Sequence, residues 1–424
     1  EPESEAAEAA IYSLTIINTQ TAAPKLQLFA RGPSNEDGDF VDTVDVVAPR
    51  YDVDWFQIEK LKYKVNGGEW QEVPYDGKSE VVLETFTELG TYAVTAKVTL
   101  ASGLEYELES LRLSIVTSDL DVQASRVSAD RSSLTADGQE VLTITVRLMD
   151  SYDHALTGHK VQLLANSDSP VIEALADGIT DDQGEAVFLV RSTRAETVQF
   201  TAKDVTSGIS LAPVRIEFLP GALNKARSTV DVSSSVVPVE NLGTYVTVIL
   251  RDEFDNGIAG KQVKLAADSA TASIIPSVLT TDRSGKATFR VTNYKAEIVT
   301  LTAVELESET ELDPVQITFV PGTPAAGMSD ITLSKTIVKA DGADSAEGMV
   351  RVRDMHLNAV PGVAVQLTAN PSVAIIDAVD GGITNAQGEA YFTLTSTHSE
   401  TVTLTASFQG MSLRPVEVVF HDGA

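Results

Sequence analysis

Residues 180–190 read TDDQGEAVFLV, and the wording returns as TTDRSGKATFRV at 280–291 and as ITNAQGEAYFTL at 383–394. The glycines Gly184, Gly285 and Gly388 stand 101 and 103 residues apart. A stretch that recurs at a fixed period belongs to a structural repeat, so the unit around it decides the fold. Downstream come AETVQFTA, AEIVTLTA and SETVTLTA, ending at Ala202, Ala303 and Ala406, then PVRIEFLPG, PVQITFVPG and PVEVVFHDG, opening at Pro213, Pro314 and Pro415. Upstream lie DSYDHALTGHKVQL, DEFDNGIAGKQVKL and DMHLNAVPGVAVQL, with Gly158, Gly260 and Gly362 at intervals of 102. Residues from about 123 to 424 are therefore three copies of one unit.

Inside a unit the apolar period is two residues. In VLTITVRL, Leu142, Ile144, Val146 and Leu148 alternate with Thr143, Thr145 and Arg147; in TVQFTA, Val198, Phe200 and Ala202 alternate with Gln199 and Thr201. That alternation predicts half-buried antiparallel strands. About seven such runs per unit, broken by turn residues and nearly free of helical periodicity, predict a two-sheet sandwich of immunoglobulin-like size. The expected fold is all-β: tandem immunoglobulin-like β-sandwiches forming an elongated rod. The expected domains are 1–122, 123–222, 223–323 and 324–424. Short Pro-containing linkers, LPGALNKARS and VPGTPAAGMS, restrict bending; four units of about 40 Å each would reach roughly 150 Å.

Residues 1–122 lack the repeat motifs and carry both tryptophans, Trp55 and Trp70. LKYKVNGGEWQEV predicts a hairpin turning at Asn66-Gly67-Gly68, because Asn and Gly accept the positive φ of a tight turn. LGTYAVTAKVTL places Tyr92 as a tyrosine corner, its hydroxyl tied to nearby backbone. The segment is read as a fourth, divergent sandwich, with a long polar loop over Arg31–Asp42.

The three units resemble bacterial immunoglobulin-like group 1 (Big-1) domains, the extracellular repeats of invasin and intimin adhesins. The resemblance rests on SLTADG at Ser133–Gly138, IVKADG at Ile337–Gly342, the D…G…VxL strand pair and T-(D/N)-x-x-G-x-A before a strand. It covers about 300 of the 424 residues. The second unit departs with VVPVENLGT, which leaves the shape of that loop open. The resemblance implies an extracellular segment of an outer-membrane-anchored adhesin whose anchoring domain lies outside this chain, acting as stalk and as ligand-contacting modules. The alternative is a structural spacer in another exported protein.

Composition bounds the partners. Against 31 basic residues stand 61 acidic ones, for a net charge of −30, which repels nucleic acid and anionic membranes. Zero cysteines exclude disulfides, thiolate zinc sites and cysteine nucleophiles. No apolar run is long enough to cross a membrane, and the opening EPESEAAEAA is acidic where a signal peptide is basic, so a mature chain or excised fragment is expected. A monomer is expected, with a host cell-surface or matrix protein or glycan as partner and no cofactor.

Candidate chemistry is weighed copy against copy. Asp181, Asp282 and Asn385 are equivalent, while Asp182 becomes Arg283 and Ala386; a metal site would not survive that change, whereas an Asx turn closed by glycine would. Asp150, Asp252 and Asp354 are read as loop-ordering residues at a strand end; the neighbouring Asp153 and Asp255 become Leu357. Calcium needs six to eight oxygens, and no DxDxDG run is present; calcium-dependent stiffening between domains is the lesser reading, and it requires a rise in Tm with millimolar calcium. His154, His159, His356, His398 and His421 are scattered without a metal or triad spacing, and nucleophile elbows and phosphate loops are absent, so no catalytic, metal or cofactor residues are assigned and no enzyme is expected. Leu120-Asp121-Val122 matches a tripeptide that some integrins read, but at a domain junction it reads as linker; no RGD is present.

Overall fold

Alternation along each strand is carried directly into burial. In the computed structural model, which describes residues 26–49, 58–75 and 79–423, Leu142, Ile144 and Val146 of the strand Leu142–Arg147 are fully buried, and the intervening Thr143, Thr145 and Arg147 are half-exposed. Thr197–Asp204 follows the same rule, with Val198, Phe200, Ala202 and Asp204 inward. Among the described residues there is no α-helix, only three short 3₁₀ turns, and no helix long and apolar enough to cross a membrane. The chain divides into two compact units, 1–219 and 220–424. Each contains two separate apolar cores: the first unit has one from Leu26 to Ile115 and one from Leu120 to Phe218, the second one from Val237 to Phe319 and one from Ile331 to Phe420.

Each repeat is a pair of facing sheets, the immunoglobulin-like sandwich that the sequence predicts. In the first repeat one sheet runs in the order Ser133–Thr135, Val214–Leu219, Thr197–Asp204, Val161–Ala165. The other runs Val171–Ala174, Glu185–Arg191, Leu142–Arg147, Arg126–Ala129. One pairing differs from the all-antiparallel expectation: Ser133–Thr135 lies parallel to Val214–Leu219, as do Val236–Pro238 to Val315–Val320 and Ile337–Lys339 to Val416–His421. The cause is a strand that changes sheets. Arg126–Ala129 pairs antiparallel in one sheet, the chain bends at Asp130, and its continuation crosses the core to lie beside the last strand. The carboxylate of Asp130 accepts from Thr143 N and fixes that bend.

The cores repeat as faithfully as the turns. Phe188, Phe289 and Phe392 occupy one site, and Phe218, Phe319 and Phe420 another, all at most 2% exposed. With no cysteine anywhere, these interleaved side chains carry the cohesion that a disulfide supplies in antibody domains. The middle repeat builds one flank differently. The first and third repeats place Leu175–Gly178 and Val379–Gly382 in turns containing left-handed residues, whereas Val278–Thr280 of the middle repeat forms a short strand against Gln262–Ala267.

Residues 26–115 also form two facing sheets. Phe29–Arg31, Val44–Ala48 and Val81–Phe86 make one; Gln71–Val73, Ile58–Val65, Gly90–Leu100 and Glu105–Glu107, with Leu111–Ile115 added on Gly90–Leu100, make the other. The hairpin forms as predicted: Leu61 faces Val73, Gly68 N donates to Val65 O over 2.9 Å, and Asn66 and Gly67 take φ of 49° and 75°. Tyr92 is the expected corner, donating its hydroxyl to Glu88 O at 2.8 Å while its ring stacks 4.2 Å from that of Phe86. The Arg31–Asp42 loop is ordered from within: the Asn35 side-chain oxygen accepts from Asp37 N and Asp39 N, and Phe40 is buried, donating to Ser114 O.

Separate cores predict separate responses to damage. Phe289→Ala should destabilise its own sandwich by about 3–5 kcal/mol. Hydrogen exchange followed by mass spectrometry should show faster exchange across the strands surrounding Phe289 and unchanged exchange in those around Phe188; uniform acceleration would mean the cores are not separate.

Candidate functional site

The residues singled out in the sequence fall into three groups: turns, junction clamps and isolated histidines. In the turns, Asp181 Oδ1 accepts from Gln183 N and Glu185 N at 2.9 and 3.0 Å, and Gly184 N returns a bond to Asp181 O. Asp282 and Asn385 repeat those contacts at Ser284 and Lys286, and at Gln387 and Glu389. Gly184 is obligatory: its φ is 73°, and a Cβ there would stand 2.4 Å from Leu148 O. Asp182 is exposed on the turn surface. These are Asx turns, not ligand sets.

The strand-end aspartates do more than order a loop. Asp150, Asp252 and Asp354 are at most 1% exposed, and each uses both carboxylate oxygens. Asp354 Oδ1 accepts from His356 N and Asn358 N at 2.8 and 2.9 Å; Oδ2 accepts from Asn358 Nδ2 at 2.9 Å and from Gly322 N at 2.8 Å. Gly322 belongs to the segment that enters this repeat, so the buried carboxylate pins the linker to the sandwich that follows it. Asp252 holds Gly221 N, and Asp150 holds Ser118 N, in the same way. Burial works to raise the Asp150 and Asp354 pKa values, but the N–H donors outweigh it and hold both carboxyls below the ordinary 3.8.

In the second unit a further residue spans the junction. Asn358 Nδ2 also donates to Tyr294 O at 2.9 Å, and its Oδ1 accepts from Ala296 N at 2.8 Å. The departing VVPVENLGT segment supplies another link: Glu240 accepts from the Thr323 hydroxyl at 2.5 Å. In the other two repeats the ADG loops are closed by Asp137 and Asp341, each accepting two backbone N–H bonds.

His154 and His159 each approach a different buried acid, Asp150 at 3.1 Å and Asp204 at 3.0 Å. His154 stands where the other repeats have Asn256 and Asn358, so it serves the junction clamp. His356, His398 and His421 lie apart from these, and among the described residues no group of three His, Cys, Asp or Glu is placed to hold a metal. Leu120 is buried in the repeat core and Asp121 accepts from Gln123 N at 2.7 Å, while Val122 is exposed. Trp55 lies outside the described residues. Trp70 lies on the outer face of the hairpin sheet beneath Lys64 and Lys97.

Sequence reasoning identified the aspartates but not what they hold. Their partner is a backbone N–H, which any residue but proline provides. The available signal was the offset: Ser118, Gly221 and Gly322 precede their aspartates by 32, 31 and 32 residues.

Tandem cysteine-free immunoglobulin-like sandwiches with clamped entries define the class. The bacterial Ig-like domain (group 1) family matches residues 124–219, 229–320 and 328–421, about two thirds of the sequence, and the chain belongs to that family. A curated relative, the inverse autotransporter adhesin YeeJ of Escherichia coli strain K12, is 27% identical over 282 residues, 63% of this chain. The chain spans only 12% of that relative's length. Invasin, described as a bacterial integrin-binding protein, superposes with a TM-score of 0.53 at 17% identity, over 97% of this chain and 79% of its own. The Escherichia coli adhesin FdeC gives 0.52 at 15% identity, over 72% of this chain and 99% of its own. The chain is thus homologous to the Ig-like domains of invasin- and intimin-type adhesins.

The clamp gives a pH-dependent prediction. A depressed carboxyl contributes stability that is complete above its unfolded pKa and is lost as pH falls through the folded one. Asp354→Asn puts an amide among N–H donors and should cost about 2 kcal/mol or more at neutral pH. Urea unfolding should show that difference constant down to about pH 5 and closing below the ordinary 3.8; a difference that persists undiminished at pH 2.5 would contradict the clamp.

Proposed function

We propose that this chain is an extracellular segment of a bacterial surface adhesin of invasin/intimin type, anchored through an outer-membrane domain outside it. In this reading the sandwiches at 123–222, 223–323 and 324–424 form a stalk, and residues 1–122 make contact with a host cell-surface or matrix ligand. The family match over three successive segments carries the assignment. The division of labour is supported by where the polar groups go. In the repeats, the residues that looked like sites are committed to their own turns and junctions.

A pure spacer is the second reading, and the same saturation favours it for residues 123–424. Beads coated with the whole chain, with 1–122 or with 123–424, offered to cultured host cells, separate the two. The adhesin reading expects the whole chain and 1–122 to adhere and 123–424 not to. Adhesion by none of the three would make the chain a spacer.

A further inference from the structure

In a chain of net charge −30, the first module gathers nearly all its described positive charge on one face. Of the six Lys and Arg residues described between 26 and 122, Arg31 stands alone, while Lys60, Lys62, Lys64, Lys97 and Arg112 share the outer face of the hairpin sheet. The register fixes this. Lys60, Lys62 and Lys64 alternate with buried Leu61 and Tyr63; Lys62 pairs with Lys97; Arg112 alternates with buried Leu111 and Leu113. The acids on the face are Glu72, Glu105 and Glu107, fewer than the cations. Lys60 and Lys62 share Glu72, each at 3.5 Å, and Lys64 reaches Glu107 only at 3.7 Å, while Lys97 donates to Glu105 at 3.0 Å. The three longer pairs are weak and readily exchanged for a stronger anion.

Trp70 organises the face. Lys64 and Lys97 place their ammonium groups 4.5 and 4.9 Å from the ring centroid, which limits the rotamer freedom an anion would otherwise have to remove. Beside them Thr91, Ser110 and Ser114 bring accessible hydroxyls to the face, Ser110 bonded at 2.6 Å to the buried Thr95. The three lysines of Ile58–Val65 repeat about every 7 Å along the strand. Exposed Glu59, Glu69 and Glu109 border the face and confine it to a strip.

We propose that this strip binds a sulfated glycan chain, an inference that rests on the reading of 1–122 as the contacting module. A strip of regularly spaced ammonium groups matches a linear polyanion, and hydroxyl donors suit sugar oxygens. Single-stranded nucleic acid is bound on successive aromatic platforms, whereas the face offers one aromatic. An anionic membrane would meet the bordering glutamates as well as the lysines.

The test is equilibrium binding of a heparin oligosaccharide to the whole chain. Binding is expected at about 50 mM salt and should weaken roughly twenty- to fortyfold by 200 mM, as counterion release at about three contacts requires. Lys64→Gln/Lys97→Gln should lose about tenfold in affinity, and Lys60→Gln/Lys62→Gln, which leaves the Trp70 contacts intact, should lose a comparable amount; Lys264→Gln, on another sandwich, should lose none. No binding at 50 mM salt, unchanged affinity in both double variants with native circular dichroism, or equal competition by an oligothymidylate would each overturn the proposal. If heparin fails to bind while the whole chain still adheres to host cells, this site falls and the adhesin reading stands. If heparin binds and cells do not, the site stands and the adhesin reading falls.

Discussion

A buried carboxyl group is costly unless every lone pair is used, and Asp150, Asp252 and Asp354 meet that condition at the entry to each repeat. One oxygen orders the turn that follows the strand; the other takes the N–H of the incoming linker. Local turn and chain entry are thereby coupled in one side chain. Were the linker N–H withdrawn, a buried lone pair would be left without a partner, so the clamp resists opening by the same physics that makes the aspartate expensive. The side chain four residues on completes the arrangement, as His154 in the first repeat and as Asn256 and Asn358 in the others.

Much of the fold was legible because it is written three times. Period-two alternation marked the strands, and comparison of equivalent positions assigned Asp181 to a turn once Asp182 proved replaceable by Arg283 and Ala386. The tyrosine corner and the Asn66-Gly67 hairpin were readable because each demands a residue type that few others satisfy. The parallel pairing of Ser133–Thr135 was not readable, since alternation fixes which face is buried and says nothing of which neighbour lies alongside. The linker clamp escaped for a related reason: its donor is backbone. The strip around Trp70 needed the register of Lys62 with Lys97, which composition hides beneath a strongly acidic average.

The repeats and the first module spend their polar groups differently. In the repeats, buried or turn-forming acids are matched to N–H donors a few residues away or across a junction. On the outer face of the hairpin sheet Lys97 is bonded to Glu105, but Lys60, Lys62 and Lys64 meet their acids only at 3.5 to 3.7 Å and are free to exchange partners.

Linker entry is fixed by a buried carboxylate, not by chain stiffness alone. Amide hydrogen exchange at Ser118, Gly221 and Gly322 in the intact chain, followed by nuclear magnetic resonance, measures it most directly. Protection comparable to that of core strand amides such as Ile144 and Val248 is expected, lost selectively at Gly322 in Asp354→Ala. Exchange of these three amides at the rate of open linker backbone in the unaltered protein would contradict it.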